Sequence, residues 1–558
     1  MPIRWAYLKR VLAGAIFGLY MANLLYFLNP QVDITPGRLA IVTIIYGLIC
    51  GVLFGSALWL LRIVRVWVFG RPATEGAYRA HGFGFVVLAA FVAAAIYWIH
   101  LEAFQIYLPR GAVRILAKAT NLITGTSFAL LFLWVIERNA SRRTSRVIFL
   151  TGVTLIAITS LFLYERRDSY RTEKREAVVA SIGTVAGQRP VIVVAIRNLP
   201  YDWVVTLAGE GSVPFLEQAR QHSHFTRLEP FTTTSPKALW ASLATGKLPY
   251  RHGVTGRFSY RTPLNSADPS ERFLLLPSGV GFRAWGLIPP VQRISAQLPA
   301  GDALPLWSMF ERLSFHSAVV NWQAATPGSA TLVITDRQIM SAGSAGDVAA
   351  VAQRFNGTGP ARTRILAGLE EDHRTIAALR AGASRHAYEL QIASLEGFSE
   401  AQRALHIFTN DLPARTTTKG EALRAYVEQI DRMLAELSRA FPDHLLVVVS
   451  PSGPAAPALA GTPYSIVRDA VMAEDPGADD GFVLITGRNA AHRENPAPAY
   501  VVDIVPTVLF AAGLPVAVDM DGRVLSEAFD EEFLRGNPLS AIQTYEAKEI
   551  IVRRAGPT

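Results

Sequence analysis

The sequence predicts an α/β domain with a largely parallel central sheet, preceded by an N-terminal bundle of about five transmembrane helices. Half of the 558 residues are hydrophobic and only 18% are charged, against about a quarter in typical soluble domains. Long apolar runs fill the first 164 residues. After residue 188, short runs of β-branched residues alternate with helical stretches, which is the pattern of an α/β domain.

Five apolar stretches come close to the roughly 20 residues that a helix needs to cross a bilayer. They are residues 11–32, 39–61, 80–101, 119–136 and 147–164. The last two have only 18 residues each, so four spans remain an alternative, with 119–136 in the membrane interface. None contains Asp, Glu, Lys or Arg, which ion and transport pathways usually need. We therefore expect an anchor rather than a channel or a transporter.

The charge is unevenly distributed along the chain. Residues 1–176 hold 20 Lys/Arg against 8 Asp/Glu, and the remainder holds 34 against 37. Basic residues that flank apolar runs are typical of membrane proteins, whereas a nucleic-acid-binding domain would carry its basic excess on the folded domain. An odd number of spans with the N-terminus inside predicts a multi-pass membrane protein whose soluble domain lies outside the cytoplasm, in the periplasm if the cell is bacterial. The single cysteine, Cys50, excludes a disulfide scaffold.

The predicted organisation is a transmembrane region over 1–164, a linker over 165–188, the α/β domain over 189–530 and a C-terminal tail over 531–558. Strands are predicted in the segments RPVIVVAIRNLP, HLLVVVSPSGP and GFVLITG. Helices are predicted over residues 213–222, 235–245, 306–313 and 420–441. Because ligands of parallel sheets bind beyond the carboxyl ends of the strands, the site is expected after VVAI and VVVS.

Two segments of this domain resemble the alkaline phosphatase superfamily most clearly. Residues 232–256, TTTSPKALWASLATGKLPYRHGVTG, resemble its nucleophile segment, and residues 501–529, VVDIVPTVLFAAGLPVAVDMDGRVLSEAF, are similar to its C-terminal signature. Weaker likenesses lie between them, in ALPLWSMFERLSFHSAVVNWQAATP, VITDR and AYVEQIDRMLAEL. The resemblance covers residues 189–530 and is nearest to type I phosphodiesterases (nucleotide pyrophosphatases) and sulfatase-like membrane proteins. It implies an alkaline-phosphatase-like α/β sandwich.

The resemblance also implies a site with two metal ions, usually zinc, held by Asp and His at strand ends. Such metals activate a Ser or Thr hydroxyl and neutralise charge on a phosphoryl or sulfuryl group. The nucleophile position matches Ser235, with Thr234 as the neighbouring candidate. Both stand where a helix N-terminus would offer free N–H groups to an anion. The structural alternative is that Ser235 only caps the helix ahead of Pro236.

The residues at the expected metal positions depart from the superfamily pattern. The first strand should end in Asp-Gly but ends in Arg197-Asn198, and VVVS should lead into Asp-His-Gly but leads into Pro-Ser-Gly at 451–453. The middle Asp and His have only a loose match, Asp411 with Arg415. We therefore expect no metal cofactor, with Asp411 as the one remaining candidate ligand. Arg197, always charged, would repel a metal and is predicted, with Asn198, to bind anion oxygens.

These features together predict a membrane-anchored pseudoenzyme of the superfamily. Its expected partners are the lipid bilayer and, in the cleft, an anionic ligand, a lipid head group or another protein, but not a nucleic acid. The alternative is an active phosphoric or sulfuric ester hydrolase, or an envelope phosphotransferase, with Ser235 or Thr234 as the nucleophile. A third hypothesis, in which the spans form a channel or flippase, is disfavoured by their lack of charge.

Overall fold

The computed structural model describes most of the chain from residue 110 onward. The described residues are 110–137, 140–166, 179–182, 189–231, 236–254, 258–261, 292–295, 298, 303–322, 328–335, 359–383, 386–407, 412, 417–454 and 479–552, with single residues and short runs before 102. They divide into two compact units, one of residues 1–174 and 259–294, the other of 175–258 and 295–558.

In the first unit, two helices lie within the predicted membrane region. Helix α1 is Arg110–Glu137 and helix α2 is Arg142–Arg166, so the stretches 119–136 and 147–164 are both helical. One segment in the described part of the chain, Ala117–Glu137, is long and apolar enough to cross a membrane. The predicted spans 11–32 and 39–61 lie largely outside the described residues, and the described half of 80–101 is helical. The number of spans therefore stays a prediction.

The second unit is built on an eight-stranded sheet with the order β11-β3-β10-β9-β2-β8-β6-β7. Its strands are β2 Val191–Ile196, β3 His224–Glu229, β6 Ser317–Val320, β7 Leu332–Ile334, β8 Leu390–Leu395, β9 Leu445–Ser450, β10 Gly481–Gly487 and β11 Ala499–Tyr500. Strand β10 pairs antiparallel with both of its neighbours, and the other pairs of the sheet are parallel. The prediction of a largely parallel sheet is confirmed.

Helices cover both faces of this sheet. They are α3 Tyr201–Gly209, α4 Pro214–His222, α5 Pro236–Thr245, α6 Pro249–His252, α7 Leu306–Arg312, α8 Pro360–Ala383, α9 Gly397–Leu405, α10 Thr418–Ala440, α11 Ile504–Ala511 and α12 Glu531–Gly536. Val191 and Val193 pack with α5, α7 and α11. Ile192 and Val194 pack with α3, α4, α8, α9 and α10. Alternate residues of one strand thus serve the two cores of a three-layer sandwich.

The apolar runs correctly located three of these strands and four of these helices. β2, β9 and β10 form from VIVVAI, LLVVVS and GFVLITG because both faces of a central strand are buried, which favours continuous β-branched runs. The four predicted helices appear as α4, α5, α7 and α10. Strand β8, LQIASL, was not predicted; it is fully buried although Gln and Ser interrupt its apolar run.

Small pairs of strands complete the described structure. β1 Val179–Ile182 pairs in parallel with β14 Glu549–Val552, so the predicted linker and the predicted C-terminal tail each contribute a strand to one ladder. β12 Val516–Ala517 pairs with β13 Ala541–Ile542, and β4 Phe258–Arg261 pairs with β5 Gln292–Ser295.

The C-terminal signature segment has a structural role. Asp503 accepts from the backbone N–H groups of Tyr500 and Arg523 at 2.9 and 2.8 Å. The hydroxyl of Thr507 donates to Asp503 O and accepts from Leu525 N. These bonds hold residues 520–525 against the start of α11.

Candidate functional site at the carboxyl edge of the sheet

Four neighbouring parallel strands bring their carboxyl ends to one edge of the sheet. Arg197 follows β2, Glu396 follows β8, Asn321 follows β6 and Pro451 follows β9. This edge is where an α/β sheet places its ligand site. The predicted residues Arg197 and Asn198 lie there, whereas Ser235, Thr234 and Asp411 fall outside the described residues.

Arg197 and Glu396 form an ion pair across the ends of β2 and β8. Arg197 Nη1 lies 2.7 Å from Glu396 Oε2, and the two side chains are 19% and 14% exposed. Ser394 Oγ donates to the other carboxylate oxygen at 2.9 Å. Charge-assisted hydrogen bonds of this kind are about twice as strong as neutral ones. The cation at this strand end is therefore supplied by the chain itself.

The guanidinium of Arg197 also approaches the helix that follows the predicted nucleophile. Its Cζ lies 5.8 Å from the ring centroid of Trp240 on α5, within the range of a cation–π contact. Trp240 packs edge-on against Trp322 at 5.0 Å, and Trp322 packs against Trp307 at 5.9 Å. This aromatic row fixes Trp240 and so gives Arg197 a rigid wall.

Asn198 is engaged by helix α9. It adopts a left-handed backbone conformation with φ of 63°, which Asn tolerates better than most residues. Its Nδ2 donates to Ser399 Oγ at 3.1 Å, and its carbonyl oxygen accepts from Gln402 Nε2 at 3.2 Å. These bonds tie the turn after β2 to α9. The amide of Asn198 is thus a positioning group of the turn in addition to a candidate for anion binding.

The turn after β9 is closed by backbone contacts. Ser450 Oγ accepts from Leu199 N at 3.1 Å and donates to Ser452 O at 3.2 Å. Gly453 N donates to Asp479 O at 2.7 Å, and a Cβ on Gly453 would lie 2.8 Å from the Asp479 side chain. Pro451 and Ser452 are buried. The turn therefore fills space at this edge and presents no charged ligand.

A buried carboxyl group on α8, that of Asp372, binds the backbone directly after Glu396. Asp372 Oδ1 accepts from Gly397 N at 3.1 Å, and Asp372 Oδ2 accepts from the hydroxyl of Tyr426 at 2.8 Å. Burial raises the pKa of Asp372 to about 8. A Cβ on Gly397 would lie 2.2 Å from both Gly368 O and the Tyr426 hydroxyl, so only glycine fits directly after Glu396.

Two histidines near the predicted nucleophile segment are confined to structural positions. His252 is fully buried; its Nδ1 accepts from Val254 N at 3.1 Å and its Nε2 lies 2.9 Å from Ser242 Oγ. His224 is also buried, and burial lowers its pKa to about 4. Neither lies at the carboxyl end of a strand: His252 is on α6, and His224 is the first residue of β3. His492 lies against Ser223, with its Nδ1 at 3.3 Å from the carbonyl oxygen of Ser223.

The described residues do not fit the two-metal centre that the resemblance implies. A zinc site takes three or four protein ligands, but Arg197 and Pro451 occupy two of the strand ends and the Glu396 carboxylate is bound by Arg197. Within the described ranges, no three His, Cys, Asp or Glu side chains are placed to hold a metal ion. Glu396 is the site residue that sequence reasoning missed; the six-residue run LQIASL directly before it was the available signal.

Comparisons with known proteins found likenesses among solved structures. No family model matches the sequence, and no curated protein matches it. Among solved structures, the chain is similar to the alkaline phosphatase PafA (9% identity, TM-score 0.41, 62% of this chain and 100% of that chain). It is also similar to a 2-O GAG sulfatase (13%, 0.40, 63% and 75%) and to a protein in the alkaline phosphatase superfamily from Vibrio parahaemolyticus (12%, 0.34, 62% and 72%). At identities and TM-scores this low, these likenesses do not by themselves assign a superfamily or an activity to this chain.

Proposed function

We propose that this chain is a membrane-anchored pseudoenzyme of alkaline-phosphatase-like fold, with an internal cation in place of a catalytic metal. The observation that carries the proposal is the ion pair between Arg197 and Glu396 at the ends of β2 and β8. A guanidinium is always charged. A dication that binds Glu396 would therefore have to break the contact between Arg197 and Glu396, and the positive charge of Arg197 would still lie close to the metal. Without a metal or a paired base, the hydroxyl of Ser235 is a weak nucleophile.

The proposed role of the outer domain is binding. An anion entering the cleft would meet Arg197 and Asn198, but it would compete with Glu396 for the guanidinium. Such competition favours a weakly bound anionic group, such as a lipid head group or an acidic side chain of a protein partner, over a tightly held phosphate.

The surfaces of α1 and α2 support the membrane anchor. Phe128 and Phe132 on α1 and Leu150 and Leu161 on α2 are 58 to 66% exposed. Small polar side chains lie inside instead: the hydroxyls of Thr126 and Thr159 are 3.1 Å apart between the two helices. Apolar groups outside and small polar groups between helices are expected when the surrounding solvent is lipid. The soluble domain would then lie outside the cytoplasm, as the charge pattern predicts.

Metal analysis together with an activity assay tests the pseudoenzyme proposal. The full-length protein, purified in detergent and incubated with zinc, is analysed for bound metal and assayed with nitrophenyl phosphate, bis-nitrophenyl phosphate and nitrophenyl sulfate. We expect substoichiometric zinc and a hydrolysis rate equal to that of Ser235→Ala. Two zinc ions per chain, or a rate that Ser235→Ala abolishes, would overturn the proposal in favour of an active ester hydrolase.

Cysteine labelling tests the topology. In a Cys50→Ser background, Ser540→Cys places one thiol on an exposed loop between α12 and β13. We expect a membrane-impermeant maleimide to label this thiol in intact cells, and the chain to resist extraction by alkaline carbonate. Labelling only after the cells are broken would place the α/β domain in the cytoplasm. Extraction by carbonate would show that the chain is not anchored in the membrane.

A further inference from the structure

A second cavity lies on the opposite face of the sheet from α5. It has a volume of about 460 Å³ and lies between α4, β3 and the loop before β11; its lining includes Tyr201, Arg220, Phe225, Arg227, His492 and Arg493. Phe225 belongs to the core cluster with α3 and α4, whereas Trp240 and Trp322 at the Arg197 edge pack against the other cluster. The cavity is thus separate from the cleft at Arg197.

One wall of the cavity is a fixed stack. The rings of Tyr201 and Phe225 lie 5.1 Å apart with an interplanar angle of 17°. The guanidinium of Arg227 covers the Tyr201 ring at 4.4 Å and is held by Asp202 at 2.7 Å and Asp480 at 3.2 Å. Arg227 therefore gives shape to the wall, while its charge is balanced by its two carboxylates.

The opposite wall is also anchored. Thr226 Oγ1 donates to the carbonyl oxygens of Ala497 and Pro496 at 3.0 and 3.4 Å. His492 Nδ1 lies 3.3 Å from Ser223 O. These contacts hold the loop that carries Arg493 and Glu494 against β3. The cavity is formed before any ligand enters, which reduces the entropy cost of binding.

The unbalanced charge in this cavity comes from Arg220 and Arg493. Neither guanidinium has a carboxylate within ion-pair distance among the described residues, and Arg220 Nε is buried without an acceptor there. Glu494 is the one acidic side chain in the lining. A buried guanidinium donor without an acceptor is costly, and an oxyanion supplies several acceptors at once.

We propose that this cavity binds an organic phosphate or sulfate group, and that the guanidinium groups of Arg220 and Arg493 bind its oxyanion. Its volume exceeds that of a lone oxyanion and falls within the range of small-molecule sites, so the ligand carries an attached organic part against the Tyr201–Phe225 wall. A soluble ester and the head group of an anionic lipid share this chemistry.

Calorimetric titration of the full-length protein in detergent tests the site with glycerol 1-phosphate as the probe. We expect saturable binding, weakened about tenfold or more in Arg220→Gln/Arg493→Gln, since each substitution removes a charge-assisted contact. Arg535→Gln, at an exposed arginine paired with Glu531, should bind like the wild type. If the double variant does not fold, as judged by circular dichroism, Arg493→Gln alone is used with the same expectation.

Three results would overturn the proposal. They are no binding to the wild type, equal loss in Arg535→Gln, or binding that the double variant retains and Arg197→Gln loses, which would assign the binding to the carboxyl edge of the sheet. A second titration uses mixed micelles that contain phosphatidic acid. Tighter binding there than to glycerol 1-phosphate, lost in the double variant, identifies a lipid head group; equal or weaker binding identifies a soluble ester.

Discussion

Arg197 and Glu396 are 199 residues apart in sequence, yet their charged groups lie 2.7 Å apart. Parallel pairing of β2 with β8 places Ile196 opposite Leu395, and the next residue of each strand is a charged one. The pair joins a basic residue and an acidic residue at the edge where the resemblance implies a metal centre. The coupling free energy of the pair therefore shows how strongly these two charges stabilise this edge of the sheet.

A double-mutant cycle measures this pair. Arg197→Gln, Glu396→Gln and the combined variant are compared by urea unfolding, followed by tryptophan fluorescence. Because both side chains are largely buried, we expect each single variant to be destabilised and the coupling free energy to be about 1–3 kcal/mol. Arg535 and Glu531 form the matched control: they are 2.8 Å apart but 78 and 77% exposed, so their coupling should be near zero. Equal coupling in the two cycles would contradict this prediction.

The buried carboxyl of Asp372 should make stability fall as pH rises. Burial raises the pKa of Asp372 to about 8, whereas an aspartate carboxyl in the unfolded chain has a pKa near 4. Between these values the folded state binds the extra proton, so the free energy of unfolding decreases with pH and levels off above pH 8. Asp372→Asn should remove this slope and stabilise the protein at pH 8. Asp443→Asn, at an exposed carboxyl, should keep the wild-type slope.

The buried imidazole of His224 should have the opposite effect at lower pH. Burial lowers its pKa to about 4, with Glu527 opposing this shift and Arg523, Arg493 and His492 adding to it. Both ring nitrogens lack a hydrogen-bond partner among the described residues. Between pH 6.5 and 4 the unfolded state binds more protons, so the free energy of unfolding falls as pH falls.

Substitution by an apolar residue isolates this effect. His224→Leu should reduce the acid sensitivity of the unfolding midpoint and raise stability at pH 5, since it removes an unsatisfied polar group. His222→Gln, at an exposed histidine two residues before His224, serves as the control and should retain the acid sensitivity. An unchanged pH profile in His224→Leu would refute the prediction.

A buried lysine joins the nucleophile segment to the C-terminal residues. Lys247 is 3% exposed, and its Nζ donates to Asp519 at 2.7 Å and to Glu546 at 2.8 Å. Burial acts to raise the pKa of Glu546, but the charge and hydrogen bond of Lys247, with hydrogen bonds from Thr544 and the Leu304 backbone, outweigh burial and lower the pKa. Lys247→Met leaves two carboxylates without their cation, and we expect a loss of about 3–5 kcal/mol in the free energy of unfolding.

Removing all three charges should restore much of that loss. The variant Lys247→Met/Asp519→Asn/Glu546→Gln keeps the shapes of the side chains without a buried, uncompensated charge. Both variants are measured by urea denaturation at pH 7. If Lys247→Met alone unfolds at the same urea concentration as the wild type, the network does not contribute to stability.

Local sequence was sufficient for several elements but not for their arrangement. VIVVAI and LLVVVS predicted β2 and β9 because a strand buried on both faces requires apolar residues at every position. The reversed direction of β10 could not be predicted, since a fully buried run reads alike in either direction. Strand β8 was missed because Gln391 and Ser394 interrupt its apolar pattern, although both side chains are buried.

The sequence by itself determined that a positive side chain follows β2, that the three residues directly after β9 include no Asp or His, and that apolar stretches precede the α/β domain. Only the tertiary structure decided which group balances Arg197. That partner, Glu396, lies on a strand whose neighbours are set by long-range pairing. Local propensity reaches only a few residues along the chain, whereas strand order depends on how the whole sheet buries its faces. The position of Arg197 could therefore be predicted from the sequence, but its pairing with Glu396 could not.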